Sequence, residues 1–188
     1  MALKTKSENT VYCQGERFDL YISQDDIAAR IMQLAHKINR DYEGKHPIFI
    51  GILNGAFIFL ADLMRQLSIE CEVDFLKLSS YGDEKVSSGS VTERKELDAD
   101  IAGRHVVLVE DIVDTGLSIH YIMDKLKQKK PESVSVLTLL HKKEATRHRV
   151  KLDYIGFEIP TRFVLGYGMD FAQDGRQLPH IYALSKET

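Results

Sequence analysis

The chain has 188 residues, 44% of them hydrophobic and 28% charged, with a formal net charge of −3. That profile fits one soluble globular domain whose core needs no disulfide staples, and its mild acidity argues against a protein that grips nucleic acid mainly by neutralising phosphates. The opening stretch MALKTKSENT lacks the apolar run of a signal peptide. The most apolar segment, Ile48 to Leu63, is interrupted by Asn54, Gly55 and Asp62 and falls short of the ~20 residues that span a bilayer. A cytoplasmic protein with no membrane partner is therefore expected. Cys13 and Cys71 form no C-x-x-C pair and have no histidine at zinc-ligand spacing, so free thiols are expected.

In chain order, the first helical period is Ile27, Ile31, Leu34 and Ile38, opening after Ser23 with Asp26 three residues on as a capping pattern. IFIGIL at Ile48 to Leu53 reads as a strand, and Phe57, Leu60, Ala61 and Met64 read as a second helix. Further strands are expected at Val73 to Leu78, Val106 to Val109 and Val134 to Leu140. A helix carrying Ile119, Ile122, Met123 and Leu126 lies between the last two and ends before Pro131. Strand and helix alternate, and the strands are nearly continuously apolar. The expected class is α/β, a mostly parallel central sheet covered by helices on both faces. The polar segment Ser79 to Asp100 breaks this rhythm and is long for a plain connection, which leaves open an active-site lid and a surface β-hairpin or solvated loop.

The segment VVLVEDIVDTGLS, Val106 to Ser118, carries the chemistry. An apolar strand ends in Glu110 and Asp111, where open parallel sheets bind ligands, and Asp114 follows with no Lys or Arg between His105 and Asp124. Carboxylates this close repel unless a cation or a ribose diol lies between them, and few-ligand oxygen sites suit Mg²⁺. Thr115, Gly116, Leu117 and Ser118 then open a helix, supplying backbone N–H groups and two hydroxyls to an anion such as phosphate. No Walker loop occurs, and Gly166-Tyr-Gly168 is not a dinucleotide fingerprint.

This segment resembles the phosphoribosyl-pyrophosphate signature of the type I phosphoribosyltransferases. LNGAF at Leu53 to Phe57, SYG at Ser80 to Gly82, LLHKK at Leu139 to Lys143 and IGFEIPTRFVLGYGMDF at Ile155 to Phe171 look like hypoxanthine (guanine) phosphoribosyltransferases in particular. The resemblance implies a purine-salvage enzyme that moves ribose 5-phosphate from phosphoribosyl pyrophosphate to hypoxanthine, and also to guanine. It also implies Mg²⁺ dependence and a homodimer or homotetramer. Its fold would add to the core, at about residues 24–150, a small hood built from the N-terminal segment and about residues 151–188. The whole of 1–188 would be a single domain, with a mobile lid at about 79–100.

Residue by residue, the resemblance makes Glu110 and Asp111 ligands of the ribose hydroxyls and the metal, and Asp114 the general base that takes the purine proton. Thr115, Gly116, Leu117 and Ser118 would hold the 5-phosphate, Leu117 by its N–H alone. Lys142 would donate to the purine 6-oxo group, selecting oxo-purines over adenine, while Phe163 stacks on the base and Val164 offers backbone contacts to its edge. Asp170 would be a second metal carboxylate beside the purine, and Arg176 a pyrophosphate contact. Leu53, Asn54 and Gly55 match the first pyrophosphate loop, where relatives often carry a non-proline cis peptide, and Ser80 and Tyr81 match the lid. This chain departs from the pattern at Asn54, where a lysine is more familiar. That removes a cation near pyrophosphate or a subunit contact.

Lys143, Arg147, Arg149 and Lys151 read as a solvated basic face. His141, Glu144 and His148 read as surface residues, since the H-E-x-x-H metal pattern is absent. A regulator that senses phosphoribosyl pyrophosphate and binds nucleic acid is the competing function, disfavoured by the charge and by Tyr81, Asp114, Lys142 and Arg176. Orotate, adenine and uracil phosphoribosyltransferases share the central motif but are disfavoured by the block ending at Phe171.

Overall fold

A computed structural model describes residues 4–7, 9–80, 91–95, 97–148 and 150–185. The core is a six-stranded sheet in the order β6-β5-β4-β7-β8-β9. Its strands are β4 (Ile48–Leu53), β5 (Glu72–Ser80), β6 (Val91–Lys95), β7 (His105–Val113), β8 (Ser133–His141) and β9 (Tyr154–Glu158). All neighbours pair in parallel except β6, which runs antiparallel to β5 as one arm of a hairpin. The described ends of the Ser79 to Asp100 segment thus fit the hairpin alternative, while residues 81–90 lie outside the described set.

Each face of the sheet is apolar because each is covered. Phe49, Val107, Val109, Leu137 and Leu139 pack under α1 (Gln24–Asp41) and α2 (Phe57–Met64). Ile48, Ile50, Val106, Leu108 and Val136 pack on the other side under α3 (Leu117–Gln128). Helix α1 starts where the capping pattern places it: Ser23 Oγ accepts the Asp26 N–H at 3.1 Å. The second helix exists where expected, but its phase differs. Phe57 and Ala61 are exposed, and the buried stripe is Ala56, Phe59, Leu60 and Leu63. Asp62, which breaks the apolar run, lies beside that stripe and accepts the Tyr167 hydroxyl at 2.6 Å, tying α2 to the C-terminal segment.

A second sheet, entirely antiparallel, has the order β1-β2-β3-β11-β10, from β1 (Lys4–Ser7), β2 (Thr10–Cys13), β3 (Glu16–Ile22), β10 (Val164–Leu165) and β11 (Ile181–Leu184). It joins the two ends of the chain, as the expected hood does. One boundary moves. Tyr154–Glu158 pairs in parallel with β8 and closes the core sheet, so the hood's C-terminal part begins beyond residue 158 rather than at about 151. The reason is register: Leu137↔Tyr154 to His141↔Glu158 uses the free edge of β8.

Candidate active site

Strand β7 is longer than its apolar stretch. Its pairing with β4 stops at Gly51↔Val109, whereas its pairing with β8 continues to Val113↔His141. Glu110 and Asp111 therefore sit inside the strand, just past the point where β4 turns away, rather than beyond the strand end. The sheet opens there, and a ligand can reach the strand from one side. The turn away is the Leu53–Asn54 cis peptide, at the position where relatives often carry one. Gly55 follows, packed so closely on Asp111 that a Cβ there would run into its carboxylate. On the far side the Gly55 carbonyl lies against Gly168, so the loop is sandwiched between β7 and the C-terminal segment.

Burial raises the Glu110 pKa far above the ordinary carboxylate value, and the charge of neighbouring Asp111 adds to it. Burial also raises the Asp111 pKa, against opposition from Glu110, from the Ile112 N–H and from the more distant positive charge of Arg176. Glu110 Oε2 is buried without a hydrogen-bond partner. A buried acceptor with nothing to accept from costs free energy, and His141 Nδ1 is a second such atom. Among the described residues no three His, Cys, Asp or Glu side chains are arranged to hold a metal. Glu110 and Asp111 are adjacent on β7, whereas Asp170, expected as a second metal carboxylate, comes from the C-terminal segment. Asp170 is ion-paired with Arg176 at 2.8 Å and accepts the Gln173 N–H, while Arg176 also donates to the Gly168 carbonyl.

The turn into α3 is braced from behind. Arg147 and His148 N–H groups donate to the Thr115 carbonyl, and the Thr146 hydroxyl donates to the Asp114 carbonyl. With the carbonyls held rearward, the turn into α3 can present its amides forward. Gly116 caps the helix at φ +81°, a left-handed conformation costly to other residues, and a Cβ there would meet the His148 carbonyl at 2.8 Å. The result is a cavity of about 100 Å³ lined by Glu110 and residues 112–119. A larger hollow of about 430 Å³ between α1, α2 and residues 177–179 lies away from these carboxylates and amides, and its Asp62 and Arg65 pair with each other.

Lys142 is 9% exposed and follows β8, its N–H bound to the Val113 carbonyl. Its Nζ meets Asp114 Oδ2 at 2.8 Å, so residues 28 apart in sequence form one ion pair at the mouth of the cradle. Phe163 is 44% exposed, unusual for a large aromatic side chain, and its inner side packs on Phe18 and Phe171 at 6.1 and 5.2 Å between ring centroids. Val164 is buried at the start of β10. Leu117 points a 39% exposed side chain outward, as a residue used for its N–H would. Tyr81 lies outside the described residues, and Ser80 is described only as the last strand residue of β5.

Two sequence expectations need correcting or extending. His141 is not a surface residue: it closes β8 with its side chain 12% exposed, and Nε2 lies 3.1 Å from the Thr146 hydroxyl. Lys77 was not singled out at all. In the parallel register it stands beside Leu53, and its Nζ donates to Asn54 Oδ1 at 3.1 Å. Nothing in its sequence neighbourhood marks it, because the contact exists only once β4 and β5 are paired.

Residues 22–172 match the phosphoribosyl transferase domain family. A hypoxanthine-guanine phosphoribosyltransferase of Aquifex aeolicus is 42% identical over 90% of this chain and 96% of its own. The Bacillus subtilis enzyme of the same name is 39% identical over 87% and 91%. The crystal structure of a hypoxanthine-guanine phosphoribosyltransferase from Bacillus anthracis superposes with a TM-score of 0.84 at 38% identity, covering 89% of this chain and 98% of that one. The chain belongs to the hypoxanthine-guanine phosphoribosyltransferase family. Among these relatives the domain also occurs within larger proteins: the chain spans 26% of the bifunctional TilS/HprT proteins of Listeria, at 40% identity.

Proposed function

We propose that the protein transfers the 5-phosphoribosyl group of phosphoribosyl pyrophosphate to hypoxanthine, and also to guanine, releasing pyrophosphate and forming the purine 5′-monophosphate. The observation that carries this reading is the Lys142–Asp114 pair beside the amide cradle. A purine ring arriving there meets a donor for its 6-oxo group and an acceptor for its imidazole proton, while the ribose 5-phosphate rests on residues 115–118. In the substrate-free protein the two charges neutralise each other. When the base binds, Lys142 turns to the oxygen and Asp114 is left to take the proton as the purine nitrogen bonds to the anomeric carbon. Phe163 supplies a face on which the base stacks, and Val164 backbone contacts to its edge.

The donor set fits Mg²⁺, which is commonly held by one or two carboxylates plus substrate phosphates and water. Glu110 and Asp111 would hold it, and the partnerless Glu110 oxygen is consistent with that use. When bound, the ion supplies charge neutralisation to the departing pyrophosphate. Asp170 and Arg176, already paired, would act together, Arg176 turning its fork to a phosphate while Asp170 fixes its direction. Leu53 and Gly55 offer backbone to the same group, and closure by Ser80 and Tyr81 would exclude water. The working form is a cytoplasmic homodimer or homotetramer, to be checked by sedimentation; no helix among the described residues is long and apolar enough to cross a membrane.

The test is pyrophosphate release from phosphoribosyl pyrophosphate and Mg²⁺ with hypoxanthine, guanine, xanthine and adenine supplied separately. Turnover with hypoxanthine or guanine and none with adenine is expected. Asp114→Asn should keep phosphoribosyl-pyrophosphate binding and lose turnover about 100-fold or more. Release with adenine alone, or an Asp114→Asn protein within a few-fold of wild type, would sink the assignment.

A further inference from the structure

Three cations, Lys77 on β5, Lys142 just after β8 and Arg176 in the C-terminal segment, have side-chain partners near the site, and they are not equivalent. Lys142 is held by the Asp114 carboxylate and Arg176 by the Asp170 carboxylate. Lys77 has a neutral partner in its recorded bond, the amide oxygen of Asn54 at 3.1 Å. An amide oxygen orients an ammonium without cancelling its charge, so Lys77 keeps a full positive charge for an incoming anion. Its position is set by backbone register: Leu53↔Lys77 is the last rung of the β4–β5 ladder, directly before the cis peptide that turns the chain into Gly55 and Asp111. Successive residues of one tight loop therefore touch the cation with one side chain and the Asp111 carboxylate with the next backbone unit.

We infer that Lys77, held by Asn54, is a pyrophosphate-binding residue: the cation that the first pyrophosphate loop lacks at position 54 is delivered from the neighbouring strand. The inference rests on the functional reading above and extends it to a residue outside the recognised motifs. Lys77 reaches past the loop, and its Nζ acts on the departing pyrophosphate rather than on the 5′-phosphate, which is held two strands away by α3. The pair Asn54 and Lys77 thus replaces one side chain with two. Removing the charge should weaken ligands that carry a pyrophosphate and spare those that carry only the 5′-phosphate.

The experiment is calorimetric titration of the full chain, in Mg²⁺ buffer, with inorganic pyrophosphate and separately with inosine 5′-monophosphate. Lys77→Gln should bind pyrophosphate about ten- to a hundredfold more weakly, and inosine 5′-monophosphate as wild type does. Lys77→Arg should retain most of the pyrophosphate affinity. Asn54→Lys placed on the Lys77→Gln background should recover it, because the charge returns to the same loop. Unchanged pyrophosphate binding by Lys77→Gln overturns the assignment, as does an equal loss for both ligands, which would mark Lys77 as a structural support. A wild-type protein that binds the nucleotide but not pyrophosphate removes the Lys77 role alone. One that binds neither removes the functional reading and this inference with it.

Discussion

Glu110 carries a local electrostatic cost. Its carboxyl oxygen is buried, unpartnered and next to a second carboxylate, and burial raises its pKa far above the usual value. An acid whose pKa is raised on folding binds its proton more tightly in the folded state, so stability is greatest below the unfolded value, about 4.3, and falls as pH climbs through the folded value. Glu110→Gln removes the buried charge and should stabilise the ligand-free protein at pH 8 by about 1–3 kcal/mol. For a chain of this size each kcal/mol is about 2–4 °C in Tm. The gain should vanish by about pH 4, where the wild-type carboxyl is protonated in both states. Thermal scans of both proteins across that range check this, and a variant less stable than wild type at pH 8 would contradict it. Glu110, Asp111 and Asp114 were legible in the sequence because three acids with no local countercharge form an anomaly in one dimension. Lys77 and the partial burial of His141 were not, since both depend on which strand lies alongside.

At the scale of elements, the hairpin of β5 and β6 is fastened by one carboxylate. Asp74, 7% exposed on β5, accepts N–H groups from Asp98 and Ala99 with one oxygen and pairs with Lys95 Nζ at 3.2 Å with the other. Burial alone would raise its pKa, but donation from the Ala99 and Phe75 amides, with Lys95 and Asp98, outweighs burial and holds it low. A depressed acid contributes stability above its unfolded value, about 3.9, and that contribution is lost as pH falls through the folded one. Asp74→Asn should therefore cost about 2 kcal/mol near pH 7, with the gap to wild type narrowing as the solution is acidified below about pH 4. Chemical denaturation at both pH values measures it, and equal gaps would remove the charge from the explanation. The hairpin was one of two open readings of a polar segment, because polarity marks exposure but does not say whether two exposed stretches pair. The α2 phase was misread for a related reason. An eight-residue helix that is apolar on several sides offers more than one stripe, and the face against Gly51 and β4 is chosen by packing.

At the scale of the whole molecule, the core sheet and the hood share one apolar cluster. Ile22, Val164, Tyr167, Ile181 and Ala183 from the hood side are buried with Phe49, Phe59, Val107 and Leu137 from the core. Polar links reinforce it: Gln24 N–H at the start of α1 donates to His180 Nδ1 beside β11, and Asp62 of α2 accepts the Tyr167 hydroxyl. The hood's own cluster of Val11, Cys13, Phe18, Leu165, Leu178 and Tyr182 is small beside the shared one, so the ligand-free chain should unfold in one step. The calorimetric and van't Hoff enthalpies should then agree. Two resolved transitions would show that the hood is an independent unit.

The sequence by itself determined the α/β class, the three helices, the central strands and the phosphate-cradle motif, because apolar periodicity, capping residues and an acid-rich strand end are local properties. It also determined the family, through blocks that recur nearly from end to end. Tertiary structure alone decided the hood sheet, whose strands come from opposite ends of the chain and pair through register: Leu184↔Phe18 and Ile181↔Ile22. It likewise decided that Lys142 faces Asp114, that Asp170 pairs with Arg176, and that the cation beside Asn54 is Lys77. Each of these joins side chains on different elements, and such distances are fixed only when the sheet forms and its edges turn toward one another.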